Sequence, residues 1–294
     1  MAEKNINGMG VGVFQITADL PSGDPAIVAK RAEELGFASY WMPEHSVFPE
    51  GFFEGCPAAT PTEPLPEFLY KMPDPFVGLA RASAVTSTIK LGTGVALTAE
   101  RNPLTAANEI ASLDHYSGGR VLYGLGAGWN EAVCTLMGGD FPHRMTQIKE
   151  AIHVMRLLWT GEFVEHHGKY YDFPKVMCRP KPARPSGPPV LIASVNNDRA
   201  HKRVGQWGDG WVPFVTDPQQ LAEGKAKIAG YATAAGRDPD SLNMCPFVPT
   251  GMFRTRAELA ELAAAGANNT VLWLDGKDEK EILSELEQLA GAIF

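Results

Sequence analysis

The chain lacks what marks a membrane, secreted or nucleic-acid-binding protein. No apolar run among its 294 residues approaches the roughly 20 needed to span a bilayer. The opening MAEKNINGMG does not have the layout of a signal peptide. Cysteine is scarce: Cys56, Cys134, Cys178 and Cys245 lie far apart, with no CxxC pair. That spacing argues against a disulfide framework or zinc site, and reduced thiols of a cytoplasmic protein are the expectation. Positive charge is also in deficit. Lys and Arg number 26 against 34 Asp and Glu, a net charge of −8 with no basic run. Nucleic-acid binding and a membrane partner are therefore not expected. No His, Asp or Glu cluster has metal-ligand spacing. His166 and His167 are adjacent on a predicted hairpin, where neighbours point to opposite faces, so no metal is expected there.

What remains is ordinary globular composition, 45% hydrophobic and 20% charged, arranged in a steady rhythm. Short apolar runs alternate with amphipathic ones. Strands are predicted at 10–16, 38–43, 89–98, 120–129, 188–194, 209–214, 242–252 and 269–274. Helices lie between them. The first, 24–36, has Asp24 as N-cap, Pro25 at its first position and Gly36 as its stop. Others are predicted at 75–87 and 104–119, and a long helical stretch follows residue 129 with Ile148, Ile152, Met155 and Trp159 on one face. Continuously apolar strands separated by helices imply a parallel sheet. Eight such units fit a (β/α)8 TIM barrel in a single domain, 1–294; a doubly wound open sheet is the rival, since counting units does not prove closure. Two insertions break the rhythm: a Pro- and aromatic-rich loop at 45–74 after strand two, read as an ordered lid, and a hairpin at 162–173 with a Pro-rich connector between units four and five.

A barrel puts chemistry at the C-terminal ends of its strands. Glu44 and His45 end the second strand, Thr98 to Asn102 follow the third, GAGWNE (126–131) follows the fourth, and Ser194 to Asn197 follow the fifth. Each has a plainer reading. His45 could bond a backbone carbonyl, Glu44 could meet solvent, and Ser194 to Asp198 could be only a helix cap or could present amides to a phosphate. GLGAG is too short a pattern to specify a phosphate loop; its glycines equally suit close approach of a ligand or a neighbouring layer.

The stretch LGTGVALTAERNPLTAANEIASLDHYSGGRVLYGLGAGWNEAV (91–133) resembles the middle of the luciferase-like monooxygenase superfamily, and within it the actinobacterial F-420-dependent oxidoreductases. GFASYWMPEHSVFP (36–49) and ASVNNDRAHKRVGQWGDGWVP (193–213) agree with the same pattern, so the likeness spans nearly the whole chain. It implies a bacterial-luciferase-like barrel, paired as a homodimer, that binds the deazaflavin coenzyme F-420, or alternatively FMN, at the mouth. It implies His45 as the catalytic residue with Glu44 beside it. Gly94-Val95 matches a non-prolyl cis peptide behind the cofactor ring. Thr98, Gly126, Ala127, Gly128, Trp129 and Asn130 fall at strand exits touching the cofactor, and Ala193, Ser194 and Val195 fall near its tail. Trp41, Trp129 and the aromatic loop are expected to wall off water. The implied reaction is hydride transfer between F-420 and a small, hydrophobic substrate. Two departures matter. No carboxylate stands at Trp129, Glu131 being only nearby, and Phe48 and Pro49 occupy a position where sugar-phosphate dehydrogenases have tryptophan; sugar-phosphate oxidation is therefore not expected. No arginine stands near Ala127, which turns the expectation from FMN towards the deazaflavin. An FMN-dependent two-component monooxygenase with a reductase partner is the alternative, and a non-catalytic scaffold is the rival of another class.

Overall fold

The computed structural model describes residues 4–16, 18, 22–52 and 70–294. A short β1 (Asn5–Ile6) runs antiparallel to β2 (Met9–Phe14), the first stave of a parallel sheet. Then come α1 (Pro25–Leu35), β3 (Ser39–Met42), α2 (Pro75–Val85), β4 (Lys90–Thr93), β5 (Ala96–Leu97), α3 (Pro103–Ser117) and β6 (Val121–Gly126). The fourth crossover holds α4 (Glu131–Leu136), α5 (Arg144–Thr160) and a hairpin of β7 (Val164–His167) and β8 (Asp172–Val176). The second half runs β9 (Val190–Ala193), α6 (Asp198–Trp207), β10 (Gly210–Val212), α7 (Pro218–Ala234), β11 (Asn243–Met244), β12 (Phe247–Val248), α8 (Arg256–Ala264), β13 (Asn269–Trp273) and α9 (Glu279–Ile293).

The staves pair in sequence order, and β13 pairs with β2. β11 pairs with β10 and β12 with β13, while the amide of Cys245 between them bonds Trp211 O at 2.9 Å. One stave thus carries the ladder across, and the ring closes. The open-sheet rival is excluded by that closure. Local chemistry starts the helices, at Asp24 as expected and by the same device at three further caps. Asp24, Asp74, Asn102 and Asp217 each cap a helix whose next residue is proline, the side chain accepting an amide of the first turn.

Three expectations need correction. The predicted third strand is two, β4 and β5, parted at the Gly94–Val95 bond, which is cis. The predicted seventh strand is broken between β11 and β12 at Cys245-Pro246 and ends at Val248; Pro246 has no amide for the ladder. Trp41 is not at the mouth. It is fully buried inside the barrel, edge-on to Phe247 with centroids 5.3 Å apart and its indole N–H donated to Ser39 Oγ at 2.7 Å. Gly92 makes the room, since a methyl there would lie 2.1 Å from the indole ring. Phe14, Leu122, Leu191, Val212, Cys245 and Val271 fill the rest of the interior. A second, larger core lies between sheet and helices. Residues 53–69 of the expected lid lie outside the described residues.

Candidate active site

The mouth is built where β3, β5, β6 and β9 end. Glu44 and His45 leave β3 together, yet their partners differ. Glu44 is 3% exposed. Its Oε2 accepts the amide of Leu97 at 2.7 Å and its Oε1 accepts Arg101 Nε at 2.6 Å. Arg101 is a hub. Its other nitrogens reach Asp74 at 2.6 Å and Glu109 at 2.9 Å, and its guanidinium lies over Phe76. Charge-assisted, multidentate pairing of this kind fixes a carboxylate in one geometry.

His45 turns from that network into aromatic surroundings. Its ring lies 5.0 Å from Phe52 and 6.0 Å from Phe48, which touch each other, and Phe48 reaches Tyr70. Phe52 meets Trp129 at 5.1 Å, and Asn130 donates to Phe52 O at 2.9 Å. The first residues of the long loop therefore roof the histidine, and β6's exit holds the roof. Burial lowers the imidazole pKa to about 4, and Nδ1 is buried with no partner. Desolvation disfavours the charged form, so at neutral pH the ring is neutral.

The glycines fit a close-approach role. Gly94 abuts Phe247, where a methyl would lie 2.8 Å from the ring, and a methyl on Gly126 would lie 2.5 Å from Val95 Cγ2. Gly128 has φ +69°, a left-handed backbone that suits glycine. Ala127 and Trp129 continue that exit, half-buried. Ser194 is half-buried on the next stave, and its Oγ accepts Trp211 Nε1 at 3.0 Å; Ala193 precedes it, and Val195 is exposed. Thr98 does not join this group. Its hydroxyl pairs with Tyr123 OH at 2.9 Å in the layer between sheet and helices. Across the mouth Phe14, Phe214 and Trp273 form a second aromatic wall, with Trp273 Nε1 buried and unpartnered.

Sequence reading placed Glu100 and Arg101 within the Thr98 to Asn102 exit without giving either a role, and missed a group of arginines. The signal was present in AERNP: two charged residues after an apolar strand, just before a helix cap. Glu100 is 5% exposed and makes no hydrogen bond; burial first and the nearby Glu44 second raise its pKa to about 7, with Arg101 opposing. Arg199 and Arg203 stand four residues apart at the start of α6, on one helix face. Among the described residues they are the two arginines with neither a carboxylate nor a carbonyl partner. Burial and the like charges of Arg199 and Arg144 lower the Arg203 pKa. Arg144, at the start of α5, donates to Gly128 O at 3.2 Å, so an arginine does stand beside Ala127, which corrects the expectation of none there and removes that ground for preferring the deazaflavin to FMN. In a barrel the helix following each strand starts at the mouth, so all three stand beside the exits of β6 and β9. The described residues contain no group of three or more His, Cys, Asp or Glu able to hold a metal, and no helix among them is long and apolar enough to cross a membrane.

Comparison with known proteins gives the family and agrees with the fold. The family model described as luciferase-like monooxygenase matches residues 24–291. An uncharacterised protein of Mycobacterium tuberculosis (strain ATCC 25618 / H37Rv) is 33% identical over 270 residues, 92% of this chain and 93% of that one. The F420-dependent hydroxymycolic acid dehydrogenase of the same organism is 31% identical over 236 residues, 79% of this chain and 60% of that one. Among solved structures, an F420-dependent secondary alcohol dehydrogenase in complex with an F420–acetone adduct superposes with a TM-score of 0.75 over 97% of this chain and 99% of that one. Its 19% identity makes it a likeness of fold.

Proposed function

The chain belongs to the luciferase-like monooxygenase family, and from that premise we propose that it is an F-420-dependent oxidoreductase moving a hydride between the deazaflavin and a small, hydrophobic substrate. The observation that carries this reading is His45, whose Nδ1 is buried and unpartnered at the barrel mouth, the end at which the Gly94–Val95 cis bond also lies. A relative that is 31% identical, matched over 79% of this chain and 60% of its own length, is an F420-dependent dehydrogenase.

The residues present suit such a cofactor. An anionic tail suits Arg199, Arg203 and Arg144, which find no acid of this chain. Ser194 and the start of α6 add amide donors on the same side. F-420, when bound, supplies the hydride-exchanging ring carbon. His45 handles the accompanying proton at Nδ1. Because that ring is neutral at neutral pH, it is in the form that can accept a proton rather than the form that can supply one. Glu44 is held by Arg101 and steadies the strand end that carries His45. Phe48, Phe52 and Trp129 exclude water on one side, Phe214 and Trp273 on the other.

Fluorescence titration tests the reading. F-420 is expected to bind at micromolar concentration or tighter and FMN more weakly. The double variant Arg199→Gln, Arg203→Gln is expected to lose F-420 affinity on the order of tenfold or more, as two charge-assisted contacts disappear. A preference for FMN, with oxygen consumption by the reduced flavin, favours the two-component monooxygenase and a reductase partner. No binding of either leaves the catalytic reading without support. A homodimer is also proposed, through the outer faces of α2 and α3, where Val77 is 63% and Tyr116 82% exposed beside Phe76 and Leu113. Sedimentation of wild type and Tyr116→Asp checks it: a monomer in both sinks the proposal.

A further inference from the structure

Glu100 is an acid in a place that gives an acid no help. It ends the 3-10 turn that follows β5, packed against α4 and α5 and beneath Gly128, where a methyl would lie 2.9 Å from Glu100 Oε1. Oε2 is buried and has no partner, while Oε1, which also accepts no hydrogen bond, keeps some access to solvent. Unpartnered buried carboxylates are rare because loss of hydration has nothing to offset it. The neighbouring Arg101 already serves three carboxylates, Glu44, Asp74 and Glu109. An ionised Glu100 would be a fourth, against a single guanidinium.

Among the described residues of the neighbouring elements, the other cation at this end is Arg144, whose Nε and Nη1 are engaged by backbone carbonyls. β3's exit offers Glu44, bound to Arg101, and the neutral His45. α4 offers Glu131 and Cys134, whose thiol is pushed up chiefly by burial and next by Glu100 itself. α3 offers Glu109. α5 offers Arg144, which donates to Gly128 O at 3.2 Å and to Phe141 O at 2.7 Å. Glu44 and Arg101 are the charges felt by Glu100, and burial outweighs both.

We propose that Glu100 is a positioning residue that works as a neutral carboxylic acid: its proton keeps Arg101 committed to Glu44, and so keeps the ends of β3 and β6 in place for the cofactor. The proposal rests on the F-420 reading. When the proton is lost, Glu100 competes with Glu44 for Arg101 while pressing on Gly128. The strand end bearing His45 and the exit bearing Gly126, Gly128 and Trp129 then shift together. Affinity for F-420 falls as pH rises through neutrality, which His45, with its charge change far below, does not produce.

The test uses the intact protein and purified F-420. Dissociation constants are measured by fluorescence from about pH 5 to about pH 9 for wild type, Glu100→Gln and Glu100→Asp. The ratio of wild type to Glu100→Gln cancels ionisations of the cofactor itself. That ratio is expected to be near one at the acid end and to rise on the order of tenfold at the alkaline end, the effect of about one unit of pKa displacement on binding. Glu100→Asp, which keeps an acid, is expected to retain a pH step. Infrared pH titration of the cofactor-free proteins reads the proton directly: wild type shows a protonated-carboxyl stretch that fades near neutrality, and Glu100→Gln lacks it. A flat ratio, or no titrating band, overturns the proposal. If no protein binds F-420 at any pH, the cofactor reading fails, and the role assigned to Glu100 in it fails with it; a flat ratio with good binding sinks the proposal alone.

Discussion

His45→Ala is expected to keep F-420 affinity within a few-fold and to lose turnover by roughly 10²- to 10⁴-fold, the range a positioned proton-transfer group contributes. The imidazole is roofed by Phe48 and Phe52 and makes no hydrogen bond through Nδ1, so its removal breaks no network. Alcohols and carbonyls are screened with the wild type first, following the deazaflavin by absorbance, and the variant is assayed on whichever is turned over. The pH dependence adds a second check. With the pKa lowered to about 4 by burial, turnover relying on neutral His45 rises through about pH 4 and is then insensitive to this group at neutral pH. An acid limb near the ordinary histidine value of about 6.5 contradicts it. The stability sign follows from linkage. The unfolded chain binds the proton more readily, so the fold weakens as pH falls from about 6.5 to about 4, by at most roughly 3 kcal/mol. His45→Ala removes that share of acid sensitivity. Unchanged turnover in the variant removes His45 from the mechanism.

Arg101→Leu is expected to be the most damaging single substitution at the site. It leaves Glu44 buried, with the Leu97 amide and a long contact from Ser46 at 3.3 Å in place of a cation. Removing one partner of a buried ion pair costs about 3–5 kcal/mol, because the remaining charge is neither hydrated nor paired. Asp74 and Glu109 lose their shared cation too, but both are more exposed and contribute less. Denaturant unfolding measures the loss. Glu44→Gln placed in the Arg101→Leu background is expected to recover much of it, since a neutral amide needs no counterion. Costs that simply add in the double variant would show that the two residues do not act as a unit. F-420 affinity is expected to fall in Arg101→Leu as well, because the same pair holds the end of β3.

Much of the fold was legible because it is written in local chemistry. Asp24-Pro25 and Gly36 bracket α1 by capping alone, and continuous apolar runs between such helices mark buried parallel strands. The Gly94–Val95 cis bond, expected from the family likeness, is present. His45, Gly94, Val95, Gly126, Gly128, Trp129, Asn130 and Ser194 lie at or just beyond strand ends on one side of the barrel. Other features depend on partners far along the chain. Thr98 looked available at a strand exit, but Tyr123, 25 residues on, takes its hydroxyl. Trp41 looked like a lid residue, but the space left by Gly92 draws it into the barrel. Glu100 and Arg101 are adjacent letters with opposite environments, and nothing in their spacing tells which one finds partners.

The sequence alone determined the eight strand–helix units, their order, and which strand ends carry polar residues, since period, caps and turns act over a few residues. Only the tertiary structure decided that the ring closes, that Glu44 belongs to Arg101 rather than to His45, and that Glu100 is left without a donor. Those outcomes turn on burial and on pairing across more than 50 residues of chain, as from Glu44 to Arg101. Removal from water, not residue type, sets the protonation of His45 and Glu100.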